Sequence, residues 1–186
     1  MKRIKKLLIV VMSLSLLLVS LLLICGCSSI QKYQLSDVSL AVPKGFAIQE
    51  YGDGTHTMFT YGQDTYHVAM QIQVQAVTGK AAAYTPDEYA AAPVILEEAL
   101  QSCKVFVTNI KEEVSRTEKL AGLPAAYAQV SGTNDTSGIS QTVSTWQVFH
   151  NGNAYLISTM VEDSATKAEQ DALDKLAASL TFAPAK

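Results

Sequence analysis

Three histidines, three cysteines and two adjacent-glutamate pairs are the residues of this 186-residue chain whose chemistry could reach beyond packing. Serines are plentiful, and His56, His67 and His150 supply the base that a Ser-His-acid relay would need. No Gly-x-Ser-x-Gly elbow accompanies them, and no two histidines stand four residues or one residue apart, so hydrolase and zinc-ligand spacings are both missing. Glu97-Glu98 and Glu112-Glu113 are paired only in sequence: neighbours on a helix or strand point apart, so neither pair converges on one substrate. Gly52-Asp53-Gly54 and Asp135 lack the repeated oxygen ligands of a calcium loop, and no phosphate-cradling glycine loop opens a helix. The expectation is a non-enzymatic chain with no catalytic residue, no metal and no cofactor. Large aromatics are what remains for recognition: Trp146, Tyr61 and Tyr66 are the candidate surface, although a helix-covered sheet would bury the tryptophan equally well.

The elements that would position these residues are legible in the periodicity. Val38, Leu40 and Val42 alternate with Asp37, Ser39 and Ala41, and a Pro43-Lys44-Gly45 turn leads to a second short strand over 46–51. Further turns at Gly52-Asp53-Gly54 and Gly62-Gln63-Asp64 frame strands over 57–61 and from about 68. In the latter, Val68, Met70, Ile72, Val74 and Ala76 share one face; His67, Ala69, Gln71, Gln73 and Gln75 share the other. The period then changes. Thr85-Pro86-Asp87-Glu88 is a capping box, and Tyr89, Ala92, Leu96, Leu100 and Cys103 recur at helical spacing, with Glu97, Glu98 and Gln101 toward water. Pro93 predicts a kink or a break between Ala92 and Pro93. Strands resume at Val105, Val107 and Ile110 and again over 125–130, followed by an exposed polar loop over 132–138. A hairpin then turns at Asn151-Gly152, whose residues both accept positive φ. His67 and His150 are expected at exposed strand and turn positions. A second helix over 166–179 carries a Thr166/Glu169 capping box, a buried stripe of Ala168, Ala172, Leu173 and Leu176, and an exposed Asp171-Lys175 pair. Strands followed by a helix, twice over, predict an α+β fold: an antiparallel β-sheet with two main helices packed on it.

Ahead of this domain, Lys2, Arg3, Lys5 and Lys6 precede a run over 7–24 without a charged residue, which places everything after it outside the cytoplasm. The run ends at Ile24-Cys25-Gly26-Cys27, which resembles the lipobox of bacterial lipoproteins. That resemblance implies cleavage after Gly26 and a diacylglyceryl thioether on Cys27. Two or more acyl chains bind a bilayer durably where one does not. Residues 1–26 are then a signal peptide, 27–36 the lipidated cysteine and a polar tether of roughly 30 Å at about 3.4 Å per residue, and 37–186 a single domain. Ten of the fourteen basic residues and all seventeen acidic ones follow Cys27, so the exported part carries a formal charge of −7. That sign excludes a nucleic-acid partner and leaves attachment to the lipid rather than to surface charge. Cys103 then has no intrachain partner and reads as a small buried hydrophobe.

Val42-Pro43-Lys44-Gly45-Phe46, Gly122-Leu123-Pro124-Ala125, Asn151-Gly152-Asn153-Ala154-Tyr155 and Ser179-Leu180-Thr181-Phe182 together resemble the PsbP-like α+β domain of photosystem accessory proteins and many bacterial lipoproteins. The resemblance implies the fold and an accessory or binding role, with no metal or partner residue carried over. The expected protein is a lipoprotein on the extracytoplasmic face of the cell membrane, held by acylated Cys27, which binds an envelope protein or a small ligand. An envelope hydrolase with a non-motif active site is the alternative.

Overall fold

Alternating apolar residues set the first two strands of the computed structural model, which describes residues 30–52, 54–62 and 66–185. β1 (Gln31–Leu35) and β2 (Val38–Val42) pair antiparallel, and Leu35, Val38, Leu40 and Val42 are buried on one side. The expected tether over 28–36 is therefore shorter: its second half is β1, because Tyr33 and Leu35 have a sheet to pack on. β3 (Phe46–Tyr51), β4 (His56–Tyr61) and β5 (Val68–Ala76) follow as a meander. The leader, Cys25 and Cys27 lie outside the described residues.

The period change appears where expected. Thr85 Oγ1 accepts the Glu88 N–H at 3.3 Å and Glu88 Oε2 accepts the Thr85 N–H at 2.8 Å, which opens α1 (Pro86–Ala91). Ala92 is extended, with φ −65° and ψ 126°, because the ring of Pro93 bars a helical conformation before it. α2 (Pro93–Lys104) restarts with Pro93 in its first turn. This break resets the phase of the apolar stripe: Ile95, Ala99 and Cys103 are buried, while Leu96 and Leu100, expected in the core, are half-buried. Val105 and Val107 are not strand. Val105 lies in a turn after α2 and Val107 in the link beyond it, and the chain enters a strand only at β6 (Thr108–Leu120). β7 (Leu123–Thr133), β8 (Ser140–His150) and β9 (Asn153–Glu162) complete a second meander, with Asn151 and Gly152 at φ 48° and 78° in the last turn.

α3 (Lys167–Ala178) carries the second capping box, and β10 (Thr181–Phe182) pairs with β2. Only Leu173 and Leu176 of α3 are buried. Ala168 is exposed and Ala172 half-buried, so the apolar contact is narrower than the alanine pattern implies. The exposed ion pair is Lys167–Asp171 at 2.9 Å rather than Asp171 with Lys175.

The expected α+β fold is present, with two antiparallel sheets rather than one. Seven strands lie in the order β3-β4-β5-β9-β8-β7-β6, and three in the order β1-β2-β10. On one face of the large sheet Phe59, Met70, Ile72, Tyr155 and Ile157 meet the small sheet and the leucines of α3. On the other face Ala126, Ala128, Val130 and Val143 meet Tyr89, Ile95, Ala99 and Cys103. The alanines of β7 let α2 sit close, and the Cys103 thiol donates to the Ala128 carbonyl at 3.6 Å. Gly132 allows a second close approach: a Cβ there would lie 2.5 Å from the Thr108 carbonyl oxygen. Gln31–Lys186 forms one compact unit, and no helix among the described residues is long and apolar enough to cross a membrane.

Candidate functional site

α1 and α2 cover β6, β7 and β8, and on the same face of the sheet grooves run beside α2 along β5 and β9. The period-two pattern of β5 puts Ala69, Gln71, Gln73 and Gln75 on that face, the first two buried and the last two exposed. Two grooves lie along it, one of about 280 Å³ near the start of β5 and one of about 380 Å³ near its end.

The first groove holds the densest polar network among the described residues. Register pairs Val68 with Val161, so His67 and Glu162, one step outward on each strand, meet side by side. His67 Nδ1 lies 2.9 Å from Glu162 Oε2 and 3.0 Å from Ser164 Oγ. Glu162 Oε1 accepts Ser137 Oγ–H at 2.7 Å and Asn134 Nδ2–H at 3.2 Å, and Oε2 also accepts Ser164 Oγ–H at 3.3 Å. The Glu162 side chain is 8% exposed and that of His67 33%. Burial pushes the Glu162 carboxyl up, but hydrogen bonds from His67, Ser137 and Ser164 outweigh it and hold the group below its ordinary value. The hydrogen bond to Glu162 raises the His67 imidazole, against the opposing effect of desolvation.

Serine, histidine and glutamate thus gather, yet both oxygens approach the same ring nitrogen. A relay requires the acid on one nitrogen and the nucleophile on the other. What the arrangement does provide is an imidazole fixed at Nδ1 whose Nε2 has no partner among the described residues. Such a ring can donate or accept one proton at the groove wall. Met58, Ala69 and Met160 supply an apolar lining, with Tyr66 and Asp135 beside them.

The second groove is floored by Ala154 and Leu156, with Val94, Glu97 and Glu98 of α2 on one side and Gln73 and Gln75 of β5 on the other. Gln147 lies behind them, 3% exposed, and its Nε2 donates to Tyr89 Oη at 3.0 Å and to Glu98 Oε2 at 3.3 Å.

The aromatics expected to form a recognition surface do not converge. Trp146 is half-buried on the face toward the small sheet, donates to Glu118 and packs on Tyr127 with ring centroids 5.2 Å apart. Tyr61 packs on Phe46 at 5.2 Å, three strands away from Trp146 in the sheet order. Tyr66, 47% exposed, lines the first groove. His150 is not at an exposed turn: it is 7% exposed and its Nε2 lies 2.8 Å from the Ala183 carbonyl, because the C-terminal segment folds back over the hairpin. Nor is His67 a free surface residue. Cys103 is fully buried, and burial pushes its thiol up. Glu162 and Gln147 were not visible as site residues in the sequence; a lone carboxylate ending an apolar strand, and a lone amide among apolar residues, are the weak signals they leave.

No protein-family model matches the sequence, and no curated protein matches it. Solved structures do. LpqN of Mycobacterium tuberculosis, involved in cell envelope biogenesis, superposes with a TM-score of 0.56 at 16% identity, over 83% of this chain and 90% of that one. A protein of Bacteroides thetaiotaomicron gives 0.51 at 14% identity over 83% of this chain and 49% of the other, so the chain spans about half the length of that protein. The cyanobacterial PsbP, CyanoP, of Synechocystis sp. PCC 6803 gives 0.48 at 11% identity, over 85% and 95%. What this chain shares with LpqN and the Bacteroides protein is the fold.

Proposed function

We propose that the chain is a lipid-anchored extracytoplasmic module, tethered through Cys27, which holds a small ligand in the grooves beside α2 and acts as an accessory rather than a catalyst. The two grooves along β5 carry the binding half: they are concave and mix apolar with polar lining, as ligand sites do. The anchoring half rests on Ile24-Cys25-Gly26-Cys27 at the end of a charged-then-apolar leader. Involvement of LpqN in cell envelope biogenesis accords with the same address. Labelled palmitate should enter the protein, and Cys27→Ala should block the label and shift the protein out of the membrane fraction. Unchanged labelling and fractionation would refute the anchor. Pull-down from intact membranes tests binding, and repeated recovery of the chain alone counts against it.

One observation favours a second reading, a hydrolase acting on envelope material: His67 stands within hydrogen-bond reach of both Glu162 and Ser164. If that reading holds, His67→Ala abolishes hydrolysis of envelope material and Ser164→Ala lowers it. Equal rates in both variants would remove it.

A further inference from the structure

Gln71 lines the first groove with nothing to bond to. It is 8% exposed, and neither its side-chain Oε1 nor its Nε2 has a hydrogen-bond partner among the described residues. Amides this deeply buried are nearly always paired, so the exception calls for an explanation. Gln147 Oε1, beneath the second groove, is unpaired as well, but it is sealed from solvent and no ligand reaches it. The Gln71 amide is not sealed and opens on the groove.

The surroundings restrict what could satisfy it. Met58 stands opposite Gln71 on β4 and Met160 opposite Ala69 on β9, so two thioethers flank the stretch of β5 that runs from Gln71 toward His67. Phe106 adds a ring to the same lining. His67, four residues away on the same face, closes the far end at roughly 13 Å, given about 3.3 Å per residue. No Lys or Arg lines the groove. Any charge on His67 is matched by Glu162, and Asp135 pairs with no cation among the described residues, so an anionic ligand would meet surplus negative charge. The Glu162 oxygens are taken up by His67, Ser137, Asn134 and Ser164, which leaves a cationic ligand only the exposed rim at Asp135.

Given that the chain is a binding module, the geometry points to a neutral ligand with an amide edge on a flat apolar ring: its N–H donates to Gln71 Oε1, its carbonyl accepts from Gln71 Nε2, and its ring lies against Met58 and Met160. One amide edge satisfies another, since each offers a donor beside an acceptor. Thioethers pack favourably on aromatic rings. A primary carboxamide and a ring lactam share this edge.

Calorimetric titration of the full chain in mild detergent tests the assignment with four probes: benzamide, 2-pyridone, N,N-dimethylbenzamide and benzoate. Saturable binding by at least one of the first two is expected, with none by the last two, which lack the N–H. The tighter of benzamide and 2-pyridone identifies the source of the edge. Gln71→Met removes both polar atoms at nearly constant shape and breaks no internal hydrogen bond, so the urea midpoint should hold while amide binding weakens about tenfold. Ala168→Gln, on α3 at the opposite face of the sheet, should leave binding unchanged. No binding by benzamide or 2-pyridone, equal affinity in Gln71→Met, or an equal loss in Ala168→Gln overturns the inference; the comparison of probes decides it even where Gln71→Met fails to fold. Saturable binding of N,N-dimethylbenzamide or benzoate overturns it while leaving the binding-module reading intact; that reading fails separately, if pull-down also recovers no partner or ligand.

Discussion

Replacing Leu176 by Ala tests how α3 is docked. Leu176 is fully buried in the cluster that includes Val38, Met70, Ile157 and Leu180. The substitution deletes three carbons, about 2.4 kcal/mol at roughly 0.8 kcal/mol for each buried methylene. The cavity left behind adds about 1–2 kcal/mol, since the sheet beneath cannot collapse into it. A total of about 3–4 kcal/mol lowers the thermal midpoint by roughly 6–16 °C in a domain of this size. Ala168→Gln is the counterpart: Ala168 is exposed at the start of the same helix, so the change should stay within about 0.5 kcal/mol. Urea unfolding in mild detergent, followed by circular dichroism, reads both, with an unchanged slope expected for each. If Leu176→Ala costs under about 1 kcal/mol, or Ala168→Gln costs as much as it, α3 presents the broader alanine stripe and the docking described above is wrong.

The His67–Glu162 pair should give a pH-dependent contribution. The raised His67 contributes fully below its ordinary value of 6.5 and loses that contribution as pH rises through the raised one; the lowered Glu162 contributes above its ordinary 4.5 and loses it as pH falls. The stability gap between wild type and His67→Gln, under about 1 kcal/mol because the imidazole end of the pair stays a third exposed, should be widest between pH 4.5 and 6.5 and fade toward alkaline pH; a gap that grows above pH 8 would contradict the pairing. Gly132→Ala should cost about 1–3 kcal/mol, because its Cβ would meet the Thr108 carbonyl at 2.5 Å; an unshifted urea midpoint would count against that contact. Thiol titration with a disulfide reagent should find no reactive thiol in the folded protein and one, Cys103, after denaturation of the lipidated form. Three thiols on denaturation would mean an unprocessed, unmodified chain.

Much of the fold could be read in the sequence because its signals are local. Both capping boxes, the break before Pro93 and the Asn151-Gly152 turn depend on residues within a few positions of one another, and each is where the pattern puts it. β6 was not legible. It pairs with β7 alone and nearly all of its side chains are exposed, so no face imposes an apolar period. On α2 the buried stripe falls at Ile95 and Ala99, one position before Leu96 and Leu100, because Pro93 resets the phase that Tyr89 and Ala92 establish, while Cys103 is buried as its spacing implies. The candidate site is the least local feature. His67 and Glu162 are 95 positions apart, and only the pairing of β5 with β9 brings them together; the orphaned oxygen of Gln147 likewise arises from tertiary packing. Cys27 lies outside the described residues, and its lipidation is read from sequence alone.

For a chain anchored by lipid as proposed above, the outer strand β6 bears on how copies meet in a crowded plane. Proteins confined to a surface meet edge to edge far more often than in bulk, and an open strand with free amides and carbonyls invites a neighbouring copy to zip on. Lys111, Glu112, Glu113, Arg116, Glu118 and Lys119 occupy that rim, so a second copy would have to strip water from six charges to extend the ladder. The strand with the weakest apolar period in the sequence is thereby the one that discourages side-by-side polymerisation.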